Sequence, residues 1–200
     1  MNSKILLSLL AAAFLFSGYS VAAVNSPQPT ISPKKPIVPQ IVQPKWRTFT
    51  APDGSFSVLM PGMPKRKTQI QKTYMGKIKL EIFLIQPPQQ EAAYLVTSNE
   101  FPDSYVQMTN PQKILDQAQY VELTATKSRL LNQRNIRSSN FHPGKEIEYV
   151  NAIGKVTKTR MFIAHNRLYK VMAIVSKKQH DSLDKTITGY LNSFKLVVKF

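Results

Sequence analysis

Lys77-Ile78-Lys79-Leu80-Glu81-Ile82-Phe83-Leu84-Ile85 alternates apolar and charged residues over most of its length. In an extended chain successive side chains point to opposite faces. Ile78, Leu80, Ile82 and Leu84 therefore share one face, while Lys77, Lys79 and Glu81 share the other. A helix would scatter both sets around its circumference, so the period of two marks a strand. Pro87-Pro88 ends it, and Ala92 to Ser98 resumes as a further strand. On the other side, Arg66 to Tyr74 is polar and β-permissive, joined through a turn at Met75-Gly76. Its lysines suit an edge strand, where charge discourages pairing with another chain.

Working outward, Trp46 opens the folded part. The turn at Pro52-Asp53-Gly54 leads into Phe56 to Met60, with Phe56, Val58 and Met60 on one face. Beyond Ser98 the period changes. Asn110-Pro111 is an N-cap followed by proline at the first helical position. Ile114, Ala118, Val121 and Ala125 then recur at helical spacing, the stripe of a helix lying on a sheet. Arg129 to Ile136 reads as a partly exposed strand. Lys145 to Val150, Val156 to Ala164 and Leu168 to Val175 form an antiparallel meander, turning at Gly154 and at His165-Asn166. Leu168 to Val175 is apolar on both faces apart from Lys170, which predicts a central position with cover on both sides. A second helix is predicted over Ser182 to Phe194, with Leu183, Ile187, Tyr190, Leu191 and Phe194 in one stripe. The order is α+β: an antiparallel sheet of six or seven strands covered by helices.

The chain begins with Lys4, an apolar run from Ile5 to Phe16, and small residues through Ala22-Ala23. That is the pattern of a secretory signal, 1–23, with cleavage after Ala22 or Ala23. The run is too short to span a bilayer comfortably. Residues 24–45 carry Pro27, Pro29, Pro33, Pro36, Pro39 and Pro44, a spacer that favours extended polyproline conformation. A single domain, 46–200, follows. The periplasm is the foremost expected compartment, with the medium or a thylakoid lumen as alternatives. There is no cysteine, which excludes a disulfide, a thiolate nucleophile and a lipoprotein anchor.

The 200 residues include 27 Lys and Arg against 11 Asp and Glu, a formal net charge of +16. Inside a cell such an excess would suggest nucleic acid. Export replaces that expectation with anionic headgroups, envelope polymers or acidic protein faces. The cationic groups expected to make contact are Lys65, Arg66, Lys67 and Lys72 in one region, and Lys155, Lys158 and Arg160 in another.

Four segments carry a family resemblance. They are Trp46-Arg47-Thr48-Phe49 with Asp53 to Gly62, Pro143-Gly144-Lys145-Glu146-Ile147, Arg167 to Val171, and Tyr190 to Leu196. In this order the chain resembles small exported bacterial proteins of the PsbP/DcrB-like group. The resemblance implies an α/β/α sandwich built on a six- or seven-stranded antiparallel sheet. It implies docking rather than catalysis, and it transfers no site residue.

Catalytic constellations are missing from the pattern. No Gly-x-Ser-x-Gly elbow occurs, and Ser182 to Lys185 matches Ser-x-x-Lys only as any polar helix face can. No glycine loop could cradle a phosphate. His142, His165 and His180 lack the spacing of metal ligands, so a site with Glu146 or Glu148 has no motif behind it. No cofactor is expected, and a monomer is. The leading expectation is an exported, non-catalytic accessory protein that docks through its basic surface. The alternative is a small-molecule or lipid carrier, with its ligand held between the sheet and the Ile114 helix.

Overall fold

A computed structural model describes residues 44–73 and 76–197. The expected signal, most of the expected proline-rich spacer and the Tyr74-Met75 part of the expected turn lie outside the described residues. The strands are β1 (Arg47–Thr50), β2 (Phe56–Met60), β3 (Lys65–Thr73), β4 (Gly76–Ile85), β5 (Ala92–Glu100), β6 (Arg129–Arg137), β7 (Pro143–Val150), β8 (Lys155–Ala164), β9 (Arg167–Ser176) and β10 (Lys195–Leu196). The helices are α1 (Asp103–Met108), α2 (Pro111–Ala125) and α3 (His180–Asn192). Seven strands form one antiparallel sheet in the order β3-β4-β5-β9-β8-β7-β6, and β1-β2-β10 form a second, smaller sheet.

The period-two reading holds at the centre and at both margins. β9, the strand apolar on both faces, is the middle of the seven. β3 and β6, the polar strands, are its two edges. Thr73 pairs with Gly76, so β3 and β4 make the expected hairpin. The register aligns Gly144, Phe162, Tyr169 and Ser98 across four strands. Gly144 answers to this packing: a Cβ there would lie 2.6 Å from the Met161 carbonyl oxygen and from the Phe162 ring. That ring stacks on Phe194, with centroids 5.8 Å apart.

Each face of the large sheet has its own cover. On one, α2 lays Ile114, Leu115, Ala118 and Val121 against Ile78, Ile147, Met161, Ile163 and Leu168. The Asn110 side chain accepts from the Gln112 N–H at 2.8 Å, which caps α2 as expected. On the other, α3 and the small sheet enclose Phe83, Tyr94, Tyr169 and Val171. Here aromatic edges meet faces: Trp46 with Tyr94 at 5.2 Å, Tyr94 with Tyr190 at 5.1 Å, Phe56 with Phe83 at 5.6 Å. Burying each such ring contributes on the order of 1.5–3 kcal/mol. The expectation of helical cover is thus met on one face by a helix and on the other by a helix beside a three-stranded sheet. The second helix stops at Asn192, before the expected Phe194, because Lys195 and Leu196 leave it to pair with Ser57 and Phe56.

The sandwich has two ends. One gathers the His165-Asn166 turn, the Asp53-Gly54 turn, the β3–β4 hairpin tip and the start of α2. The other gathers the Gly154 turn, the links into β3 and β5, and the start of α3. Among the described residues no helix is long and apolar enough to cross a membrane.

Candidate functional site

The pleat divides the cations singled out in the sequence. Arg66 and Lys72 pair in register with Phe83 and Lys77, on the face covered by α3 and the small sheet. Lys65 and Lys67 pair with Leu84 and Ile82, on the α2 face. Lys158 and Arg160 share the α3 face, whereas Lys155 points the other way at the Gly154 end. Four steps between neighbouring strands separate β3 from β8, roughly 19 Å. The seven residues do not come together as one surface.

Three of the seven are held by acids. Arg66 Nη2 reaches Glu81 Oε1 at 2.6 Å. Arg160 Nε donates to Glu146 Oε2 at 2.5 Å and Nη1 to Asn192 at 2.8 Å. Lys158 Nζ lies 3.8 Å from Asp184 on α3. Glu146 also accepts from Arg134, so two guanidiniums flank one carboxylate. Burial raises its pKa, but the hydrogen bonds from Arg134 and Arg160 outweigh this and leave it below the ordinary value. These contacts fasten β6, β8 and α3 to one another. Lys65, Lys67 and Lys72 are different, being exposed and, among the described residues, free of ion pairs.

Between α2 and the sheet lies a polar cluster that sequence reasoning did not assemble. Glu122 and Lys170 are each only 4% exposed. The Lys170 Nζ sits 2.9 Å from Glu122 Oε2, and Tyr149 Oη donates to Oε1 at 2.5 Å. Thr159 adds a longer contact at 3.3 Å. Burial, then the charge of Glu122, drives the Tyr149 pKa well above its ordinary value. Nearby, Lys145 donates to Asp116 and to Gln119 of the same helix. Lys170 was visible in the sequence as the lone charge of an apolar strand. Its partner was hidden because Glu122 adjoins the apolar stripe of α2 without interrupting it.

The space beneath α2 is thus occupied by its own side chains and this cluster. Of the grooves lined by described residues, one of about 370 Å³ lies at the His165 end, between Asp53, Ser55, His165, Arg167, Tyr169 and Val197. Arg167 spans it, bonded to Asp53 and, at 3.1 Å, to Glu100.

The histidines are dispersed. The His142 and His165 rings lie 6.1 Å apart, and burial, then His165, lowers the His142 pKa. His180 binds Glu148 at 2.8 Å and Asp181 at 2.9 Å. Glu146 is committed to arginines. Among the described residues no group of three or more His, Asp or Glu is arranged to hold a metal.

No protein-family model matches the sequence, and no curated protein matches it. Solved structures do. The solution structure of cyanobacterial PsbP (CyanoP) from Synechocystis sp. PCC 6803 superposes with a TM-score of 0.53 at 9% identity, covering 79% of this chain and 96% of that one. The fold is PsbP-like. At such identity the likeness concerns the path of the chain alone. A protein of unknown function, PA94 from Pseudomonas aeruginosa, superposes at 0.45 with 10% identity over 78% of this chain and 98% of its own, too low to carry an argument.

Proposed function

We propose that this is an exported, non-catalytic accessory protein that docks through its cations onto an acidic protein face or an anionic envelope surface. The observation that supports it most directly is the state of Lys65, Lys67 and Lys72. They stand exposed on an edge strand and pair with no acid among the described residues, in a chain of net charge +16. An unneutralised cation on a protein surface attracts polyanions within about 10 Å at ordinary ionic strength. The PsbP-like fold is consistent with docking and supplies no activity of its own.

The carrier alternative requires room between α2 and the sheet. Ile114, Leu115, Ala118 and Val121 fill that layer, each 2% exposed or less. The docking reading is therefore preferred.

Cross-linking in intact cells tests it. Lys65→Glu combined with Lys67→Glu and Lys72→Glu touches no ion pair, so folding is preserved. The expected result is loss of a captured partner or of envelope association. Unchanged capture by this variant, and by a second one carrying Lys155→Glu, Lys158→Glu and Arg160→Glu, would sink the reading.

A further inference from the structure

The Gly154 end combines two features that the docking reading above does not explain. Ile153, in the turn between β7 and β8, is 78% exposed, and Met63, in the link from β2 to β3, is 82% exposed. The Ile153 turn is firmly built. Asn151 Oδ1 accepts from the Lys155 N–H at 2.9 Å, and the Gly154 N–H donates to the Asn151 carbonyl at 3.0 Å. Gly154 takes a φ of +76°, which the turn requires and which glycine adopts without strain. The Lys177 N–H then donates to the Gly154 carbonyl at 3.0 Å, locking the link into α3 alongside. Ile153 is therefore held outward by a rigid support.

Around it stand cations. Lys155 begins β8, Lys177 and Lys178 follow β9, and Arg129 opens the neighbouring β6, paired in register with Val150. Arg129, Lys177 and Lys178 are exposed and make no ion pair among the described residues. The acids at this end are Glu91, exposed before β5, Asp181 and Glu148, both bonded to His180, and Asp184, 3.8 Å from Lys158. The opposite end has exposed apolar groups too, Phe141 and Met108, and carries Lys72 and Lys77 at the hairpin tip, but it also places Asp53, Glu100 and Asp103 among its loops. Those carboxylates offset its positive charge. The chain also joins the domain on the cationic side, since Arg47 pairs with Met60 next to the link carrying Met63.

We infer that the Gly154 end is a membrane-contact surface for anionic phospholipid, with Ile153 and Met63 entering the headgroup layer and Arg129, Lys155, Lys177 and Lys178 contacting lipid phosphates. This rests on the docking reading and names its partner. An acidic protein would offer a concave apolar pocket or a flat complementary face to a single protruding side chain. Isolated exposed apolar side chains at one end of the sandwich, accompanied by exposed lysines, match the layered chemistry of a bilayer interface, apolar beneath anionic.

The test uses the protein as purified from the producing cells, its N-terminus read by intact mass. Sedimentation is compared with vesicles of phosphatidylcholine alone and of phosphatidylcholine doped with phosphatidylglycerol. Binding is expected to the doped vesicles and to fade as salt rises. Each lysine neutralised by Lys155→Gln, Lys177→Gln or Lys178→Gln should weaken it about fivefold, and all three together about a hundredfold. Ile153→Asp should weaken it with every cation in place, while Lys77→Gln with Lys113→Gln, both exposed at the far end, should leave it unchanged. Equal binding to neutral vesicles, or insensitivity to the triple variant, overturns the inference. If doped vesicles are ignored but cells still yield a cross-linked acidic protein, the lipid inference falls and docking survives. If neither is seen, both fall.

Discussion

At the His165 end Arg167 is caught between Asp53 and Glu100, and Asn166 holds Asp103 at 2.8 Å. At the Gly154 end Lys177 and Lys178 stand in solvent, where the nearby carboxylates are Glu91, the histidine-bound Asp181 and Glu148, and Asp184 beside Lys158. Both ends are made of the same parts, hairpin turns and strand-to-helix links. One spends Arg167, Asp53, Glu100 and Asp103 on fastening loops to each other, the other leaves Lys177 and Lys178 available. An ion pair that ties two loops contributes to stability at the site; an unpaired lysine contributes almost nothing until an anion arrives.

The sharpest way to blur this contrast is to loosen both ends at once. α2 runs from the His165 end to the Gly154 end, and Glu122 anchors it to the central strand. Glu122→Ala strands the buried Lys170 charge and should cost about 3–5 kcal/mol. Thermal unfolding would read this as a large drop, with denaturant midpoints moving in step. A near-neutral result would mean that Lys170 finds another partner and that the helix is not pinned there.

A variant confined to one end sharpens the contrast. Arg167→Ala removes two ion pairs from a side chain that is 26% exposed, so partial solvent screening holds the expected loss to about 1–2 kcal/mol. Calorimetry should show it, and vesicle binding should not change.

His180 yields a smaller, pH-dependent effect at the other end. Burial lowers its pKa, but the bonds to Asp181 and Glu148 outweigh burial, so the folded value lies above the ordinary 6.5. The charged form therefore stabilises α3 in full below the unfolded pKa. That contribution, under about 1 kcal/mol, is lost as pH rises through the folded value. Melting temperature should decline from pH ~6 to ~8, and His180→Ala should flatten the slope. A slope that survives the substitution would assign the titration elsewhere.

Smallest of all, Lys177→Ala with Lys178→Ala should change stability by no more than about 0.5 kcal/mol. A larger loss would mean that these lysines support the fold rather than wait for a partner.

How much of this could be read beforehand depended on distance along the chain. Alternation in Lys77 to Ile85, the two-sided apolarity of Leu168 to Val175 and the Asn110-Pro111 cap are local signals, and each element formed where they indicated. The small sheet was hidden because β10 is two residues long and its partner lies more than a hundred positions earlier. Helix α1 carries no apolar stripe, and none of its residues is buried. For the cations, the same period of two that revealed the strands also divides Lys65-Arg66-Lys67 between opposite faces. The acids that neutralise Arg66, Lys158 and Arg160 come from other strands and from α3, which no spacing within a segment could disclose.

The pairing of Leu196 with Phe56 has a bearing on how the domain closes. The lid over Phe83 and Tyr169 takes two strands from Arg47–Met60 and its third from Lys195–Leu196. Contacts between segments so distant in sequence form slowly, because the chain between them must first give up its freedom. Removing Lys195 and Leu196 would leave one edge of β2 unpaired and the aromatic layer open on that side, so two residues act as the clasp of the whole sandwich.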